Sequence, residues 1–131
     1  MGDIQTLVNR WTTEAVALGR TEVFDELLHE DVHDMTGGLD TRGRESFKTR
    51  AVAVRDAFED RSVRVDSLII EGDHIAWRWT FEGRHAGPFA GLAPTGKRVV
   101  LRGANFQRIA GGVVIEHWSV ADIAGALRQL A

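Results

Sequence analysis

The stretch that decides the fold begins with a glycine turn and ends immediately before the last helix. It reads Gly111-Gly112-Val113-Val114-Ile115-Glu116-His117-Trp118-Ser119-Val120-Ala121-Asp122. The glycine pair predicts a turn, and the β-branched run after it predicts a strand. Charged and aromatic side chains follow one another along this strand, and Asp122 closes it. Such residues at the end of a strand are typical of a binding or catalytic site.

Strand patterns also fill the region before this stretch. Residues 63–70 and 98–109 are rich in β-branched residues, and residues 75–82 alternate large apolar side chains with smaller or polar ones. A loop of about a dozen residues, holding both prolines, separates the strand over residues 75–82 from the strand over residues 98–109. Its length and composition are unusual between adjacent strands, so we expect it to form part of a cavity rim.

Helical spacing dominates the first part of the chain and returns at its end. Apolar residues recur every three or four positions over residues 4–18, in a short segment after Thr21 and in a third segment after Gly43. A closing helix is predicted from Ile123. Helices followed by long strands predict an α+β fold, with helices on one face of a curved antiparallel sheet. We expect residues 1–131 to form one domain.

Composition limits the function classes. Of 131 residues, 44% are hydrophobic, which is enough for a packed core, and the net charge of −3 comes with basic residues spread along the chain. This gives no electrostatic footprint for nucleic acid. No apolar run is long enough to span a bilayer. The absence of cysteine excludes disulfides and thiolate chemistry, and the expected location is the cytoplasm.

Two motifs resemble those of a known family. The segment from His85 to Lys97, HAGPFAGLAPTGK, resembles the H-x-G-x-F-x-G-x-x-P-T-G motif of the SnoaL-like polyketide cyclases, which belong to the NTF2-like superfamily. The segment from Gly112 to Trp118, with Asp122 and the terminal Gln129-Leu130, is similar to that family's G-x-I-x-E-H-W-x-x-x-D and Q-L. Helix order, strand order and length agree over essentially the whole chain.

The resemblance implies a cone. In it, a bent sheet of about four long strands and some short ones encloses a pocket together with the N-terminal helices. It also implies a homodimer through the outer sheet face, and cofactor-free chemistry on a small, largely apolar carbonyl compound. In the characterised cyclases, the aspartate matching Asp122 is the general acid/base of an intramolecular aldol closure.

Asp122 is the first catalytic candidate. One carboxyl can take a proton from carbon and return it to an alkoxide if burial raises its pKa towards neutrality. Alternation predicts that Trp118 shares its strand face, where the indole would desolvate it and form a pocket wall. The alternative is that Asp122 only caps the last helix. By the same alternation we expect His117 to face outward, in a structural or interfacial role.

His85 and two amides are further candidates. His85, where a strand meets the loop, could orient a substrate carbonyl, or it could fix the loop by a hydrogen bond. Asn105 and Gln107 lie two apart and therefore share a face, where paired amides would suit enol and carbonyl oxygens. A polar outer face is the alternative for both amides, because a bulge would invert the parity.

Large aromatic side chains and one arginine complete the substrate-binding set. Trp11 and Trp118, with Trp77 or Trp79, are expected around the substrate. Arg78 points to the opposite face from the two neighbouring tryptophans, so it holds a substrate carboxylate only if those tryptophans pack outward. Otherwise Arg78 is exposed.

Other centres compete with Asp122. The stretch from Asp34 to Gly43 resembles, in spacing, the catalytic-base segment of ketosteroid isomerases, although the tyrosine donor of that family has no counterpart in a chain without tyrosine. Asp34 is also expected to line the pocket as a substrate-binding residue. A third hypothesis is a non-catalytic small-molecule-binding module. The stretch His29-Glu30-Asp31-Val32-His33 matches the zinc motif H-E-x-x-H, but it straddles a helix–strand junction, so we expect no metal site.

Overall fold

The computed structural model describes residues 2–131 as an α+β fold with four helices and a curved, open sheet of six strands. The helices are α1 (Gly2–Arg10), α2 (Phe24–Leu27), α3 (Glu45–Ala57) and α4 (Ile123–Leu130), with a π-helical segment at Trp11–Ala17 and 3₁₀ turns at Thr21–Val23 and Thr36–Gly38. The strands are β1 (Leu28–Asp34), β2 (Thr41–Arg42), β3 (Phe58–Glu71), β4 (His74–His85), β5 (Arg98–Ala110) and β6 (Val113–Ala121). The fold class expected from the sequence is therefore confirmed.

The first helical segment differs from the expected regular helix over residues 4–18. From Trp11 onward it is π-helical, and Leu18 N donates to the carbonyl oxygen of Thr13, five residues back, at 3.0 Å. Neighbouring side chains on a regular α-helix diverge by about 100°. Trp11 and Thr12 are nevertheless both buried, and both line the cavity described below.

Sheet topology sets the position of β6. The strand order is β2-β1-β6-β5-β4-β3, so β6 lies inside the sheet between β1 and β5. β1 and β6 run parallel, whereas the other neighbouring strands are antiparallel. The expectation of an antiparallel sheet therefore holds for all pairs but this one.

The register of β4, β5 and β6 sorts their side chains between the two faces. Asn105 lies opposite Trp77 on β4 and opposite Ser119 on β6. Since cross-strand partners point to the same face, these three side chains share the face that the helices cover. One position along, Phe106 lies opposite Ala76 and Trp118, which share the other, outer face.

The helices cover one face only, and the core lies there. A large apolar cluster joins Leu7, Val8 and Trp11 with Phe24 and Phe47. A second cluster, which includes Phe58, Phe81 and Leu130, lies under α4 and the start of β5. No helix within residues 2–131 combines the length and the apolar character that a membrane span requires.

Candidate functional site

A cavity of about 360 Å³ opens between the helices and the inner sheet face. This volume is at the lower end of the range for small-molecule pockets. Its walls are largely aromatic and aliphatic, mainly from the π-helical segment, α3 and strands β3 to β6. The polar side chains that line it are those of Thr12, Arg50, Asn105, His117 and Ser119.

Asn105 presents an oriented amide to the cavity. Trp79 Nε1 donates to Asn105 Oδ1 at 3.1 Å. An indole N–H can only donate, so the amide oxygen must face Trp79 and the amide nitrogen must be the free end. That nitrogen has no hydrogen-bond partner among residues 2–131. Asn105 can therefore donate to an oxygen of a bound molecule.

His117 lines the same cavity and is held by a buried neighbour. Gln107 Nε2 lies 2.9 Å from His117 Nδ1, and Trp77 Nε1 donates to Gln107 Oε1 at 3.0 Å. The imidazole stacks on Trp11 with 5.3 Å between ring centroids. Burial lowers the pKa of His117 to about 3, and Arg50 acts in the same direction against the opposing charge of Asp34. The ring is neutral at physiological pH.

Asp34 and Arg50 form an ion pair beside the cavity. The Asp34 carboxylate is fully buried and contacts Arg50 Nη1 at 2.8 Å. It also accepts hydrogen bonds from the Ser46 hydroxyl at 2.6 Å and from Thr36 N–H at 3.2 Å. Burial alone would raise the pKa of Asp34, but these donors outweigh burial and lower it.

Arg50 is the member of this pair that lines the cavity, and its guanidinium also lies over the Phe47 ring at 5.0 Å. Asp34 is not among the lining residues. Arg50, and not Asp34, is therefore placed to contact a substrate, which differs from the prediction for Asp34. A carboxylate with three fixed contacts and no cavity surface is a poor candidate for the mobile base of an isomerase.

Asp122 occupies the helix-cap position that the sequence left open as an alternative. Asp122 Oδ1 accepts a hydrogen bond from Gly125 N–H at 2.9 Å at the start of α4. The residue is exposed and does not line the cavity, although its neighbours Ala121 and Ile123 do. β6 ends at Ala121, so the expected alternation from Trp118 does not extend to Asp122. Its proposed role as a proton carrier stays a prediction.

His85 makes the loop-fixing contact that was the alternative to a substrate contact. Its Nδ1 accepts from Thr95 N–H at 3.2 Å and lies 3.0 Å from the Thr95 hydroxyl, which ties the end of β4 to the loop over residues 86–97. The imidazole is fully buried and does not line the cavity. Phe58 and Phe89, which pack on it, form part of the cavity wall.

The structure contradicts two placements expected from alternation along the strands, those of Trp118 and His117, and for Arg78 it decides against substrate binding between the two open alternatives. Trp118 lies on the outer face, 41% exposed, and is not a pocket wall. His117 lies inside, not outside, because it is the partner of Gln107 on the inner face. Arg78 is exposed on the outer face because Trp77 and Trp79 pack inward, so it cannot hold a ligand in this cavity.

The other expected binding residues lie on the inner face. Trp11 and Asn105 line the cavity. Gln107 is buried behind the cavity wall, where it contacts Trp77 and His117. It does not line the cavity.

The sequence stretch that matches the zinc motif, His29 to His33, lies wholly on β1 and not across a helix–strand junction as expected. His29 and His33 are therefore strand residues, and the helical face that the motif requires is missing. Within residues 2–131, no group of three or more potential ligands from histidine and acidic residues is close enough to hold a metal ion.

Arg50 is a cavity-lining residue that the sequence prediction did not include, as are Thr12 and Ser119. A signal was present, since Arg50 follows the core residue Phe47 by three positions and precedes Val54 by four. Both spacings place it on the apolar face of α3. A cation on the buried face of a helix requires a partner, which here is Asp34.

Comparison with known proteins agrees with this architecture. The model of the SnoaL-like polyketide cyclase family matches residues 6–130. The nogalonic acid methyl ester cyclase of Streptomyces nogalater is 31% identical over 117 residues, which cover 86% of each chain. The aklanonic acid methyl ester cyclase AcmA of Streptomyces galilaeus is 28% identical over 92% of this chain and 86% of its own.

Solved structures give the same result. TsrD from Streptomyces laurentii superposes with a TM-score of 0.89 at 28% identity, over 99% of this chain and 96% of its own. IdmH from Streptomyces antibioticus superposes with a TM-score of 0.83 at 26% identity, over 96% of each chain. The family model, the two cyclases and these structures all cover nearly the full chain, which therefore belongs to the SnoaL-like polyketide cyclase family.

Proposed function

We propose that this protein binds a small, largely apolar polyketide-type carbonyl compound and promotes its enolisation during an intramolecular aldol closure. The observation that carries the proposal is the Asn105 amide nitrogen, which Trp79 orients towards an apolar cavity. A fixed donor in such a cavity stabilises the negative charge that develops on a carbonyl oxygen as the neighbouring carbon loses a proton. The ester cyclases among the relatives support the substrate class.

The reaction requires one proton to move twice. A base takes a proton from the carbon beside a carbonyl, and the enolate carbon then bonds to a second carbonyl carbon of the same molecule. The alkoxide that forms receives the proton back, so no cofactor is consumed. We assign this proton transfer to Asp122. Its carboxylate would have to leave Gly125 N–H and turn towards the space between Ala121 and Ile123.

Replacing Asn105 by leucine tests the donor. Asn105→Leu keeps the side-chain size but removes the N–H, so kcat should fall on the order of 100-fold with little change in KM. Ring closure of nogalonic acid methyl ester and aklanonic acid methyl ester, followed by absorbance and mass spectrometry, gives the measurement.

The same replacement at Asn9, an exposed residue of α1, provides the matched control and should leave turnover unchanged. Wild-type protein that binds the esters without closing them would contradict the catalytic proposal. An Asn105→Leu variant as fast as wild type would exclude the donor role.

A non-catalytic binding module is the second candidate function. The observation that favours it is the position of Asp122, exposed and engaged as a helix cap. In addition, no carboxylate lines the cavity among the residues that the structure describes. Such a protein would bind the carbonyl compound through Asn105 and release it unchanged.

We also propose that the outer sheet face binds a second copy of the chain. Ile69, Phe106, Trp118 and Val120 are between 41% and 64% exposed there, beside a groove of about 430 Å³. Glu71, Arg108 and Glu116 line this groove and carry charges of both signs. A two-fold axis would let the arginine of one copy meet a glutamate of the other.

Light scattering during size-exclusion chromatography tests the dimer. The wild-type protein should show twice the chain mass of 14.5 kDa, and Trp118→Glu should shift it to the monomer, because a carboxylate would be buried in an apolar interface. Leu18→Glu, at an exposed leucine outside the groove, is the control and should stay dimeric. A wild-type monomer at high concentration would contradict the proposal.

A further inference from the structure

We propose that Gln107 is a positioning residue that holds His117 in one tautomer, with the proton on Nε2, so that the imidazole donates a second hydrogen bond to the enolate oxygen of the bound compound. The inference rests on the proposed function for the identity of that compound. The tautomer itself depends only on the contacts of the folded chain.

The orientation of Gln107 follows from Trp77. The indole Nε1–H can only donate, and it lies 3.0 Å from Gln107 Oε1. The amide oxygen is thereby assigned to Trp77, and the amide nitrogen, at 2.9 Å, is assigned to His117 Nδ1. All three residues are at least 95% buried. Water therefore does not compete effectively for these contacts.

The tautomer of His117 follows from Gln107. The amide nitrogen donates, so Nδ1 must accept with its lone pair, and a neutral imidazole then carries its single proton on Nε2. Nε2 has no hydrogen-bond partner among residues 2–131, and the ring lines the cavity. The free nitrogen is consequently a donor to an occupant and not a base.

The surroundings keep the ring neutral. Trp11 stacks on one face and Phe47 meets the ring edge-on, with 5.0 Å between centroids, so the cation would be poorly solvated. The charged groups that act on it are Asp34, which favours the cation, and Arg50, which disfavours it. With burial as the largest cause, the pKa falls to about 3. A neutral imidazole donor holds its proton more weakly than amides do, which suits an oxyanion.

His117 and Asn105 act from neighbouring strands on the same side of the sheet. Asn105 is opposite Ser119 and Gln107 is opposite His117, so the two donors are diagonal neighbours on the inner face. Diagonal neighbours lie about 7 Å apart, a separation that one oxygen atom, or two adjacent ones, can bridge. Gln107 touches neither the cavity nor its occupant and acts only through His117.

Nitrogen-15 NMR of histidine-labelled protein tests the tautomer directly. Five histidines are present, and the His117 signals are those that vanish in His117→Gln. We expect Nε2 protonated and Nδ1 unprotonated, without titration from about pH 5 to 8. Gln107→Glu should transfer the proton to Nδ1, since a carboxylate can only accept. A wild-type ring protonated on Nδ1, or one that titrates near neutrality, would overturn the proposal.

Turnover of the methyl esters tests the donor role. Gln107→Glu should lower kcat on the order of 100-fold at similar KM, whereas Gln5→Glu, the same change on the exposed face of α1, should have no effect. A second pair of variants avoids the buried charge. His117→Gln places an amide nitrogen near the position of Nε2 and should retain at least tenfold more activity than His117→Asn, which reaches only the position of Nδ1. Equal activity of this pair would exclude the donor.

Binding of 4-nitrophenolate separates failure of this inference from failure of the proposed function. The probe carries a delocalised oxyanion, and its visible absorption reports ionisation without any turnover. If wild-type protein does not close the esters, the proposed function fails, but the donor role still predicts at least tenfold weaker phenolate binding to His117→Asn than to His117→Gln. Equal affinities would reject it.

Discussion

Arg50→Met is expected to cost about 3 kcal/mol in the free energy of unfolding, because it leaves the buried Asp34 carboxylate without its cation. The value is at the low end for a broken buried pair. Arg50 is 38% exposed in its side chain, and Ser46 and Thr36 still donate to the carboxylate. Urea unfolding at pH 7, followed by tryptophan fluorescence, measures the change. Arg20→Met, at an exposed arginine, is the matched control and should cost less than about 0.5 kcal/mol.

The double variant Asp34→Asn/Arg50→Met isolates the cause. If the loss comes from the unpaired charge, removing the carboxylate as well should restore more than half of the lost stability. An additive loss in the double variant would show that Arg50 stabilises the fold by packing on Phe47 and not by pairing with Asp34.

The contribution of Asp34 to the free energy of unfolding decreases as the pH falls. The pKa of Asp34 is lower in the folded chain than in the unfolded one, so the unfolded state binds more protons at acidic pH. The stabilisation is fully present above the unfolded pKa of about 3.9 and is lost as the pH falls through the folded pKa. The difference between wild type and Arg50→Met should accordingly shrink from pH 7 towards pH 3. A constant difference would contradict this account.

Asp122→Asn is expected to lower kcat for ester cyclisation on the order of 100-fold and to leave the binding affinity nearly unchanged. The structure makes this replacement unusually informative. Asparagine caps helices about as well as aspartate does, so the hydrogen bond from Gly125 N–H is retained and α4 stays in place. Asp122→Ala removes the cap as well and should cost about 1 kcal/mol of stability.

The pair of variants separates a cap from a catalyst. Turnover that survives in Asp122→Asn but falls in Asp122→Ala would mean that the carboxylate serves only α4, and the proton carrier would have to be sought elsewhere. Unchanged turnover in both variants would exclude Asp122 from the chemistry. If wild-type protein binds the esters with no turnover at all, the binding-module hypothesis stands.

The sequence predicted the elements well because each has a local cause. The alternation of Trp77, Trp79 and Phe81 and the turn at Gly111-Gly112 depend on neighbouring residues only, and both lie where expected. The motif around His85 and the strand with His117 were also sufficient to identify the family. The π-helical segment was not predicted, since periodicity over residues 4–18 cannot distinguish the two kinds of helical turn.

The site was predicted only in part. Alternation correctly separated Asn105 and Gln107 from Phe106, but it does not say which face the helices cover. Parity counted back from Asp122 fails because Asp122, taken as the inward-facing reference, is exposed and does not line the cavity. As a result, Trp118 was placed inside and His117 outside, the reverse of what the structure has.

The sequence by itself determined the family, the α+β class and the order of helices and strands, because local periodicity and short motifs carry that information. Only the tertiary structure decided which residues face the cavity. The reason is that the covered face of a sheet depends on where distant helices pack, and α1 and α3, which cover the inner face, lie far from β6 in sequence. The stretch from Gly111 to Asp122 shows the difference. In the folded chain His117 lines the cavity, Trp118 lies on the outer face and Asp122 caps the helix that follows.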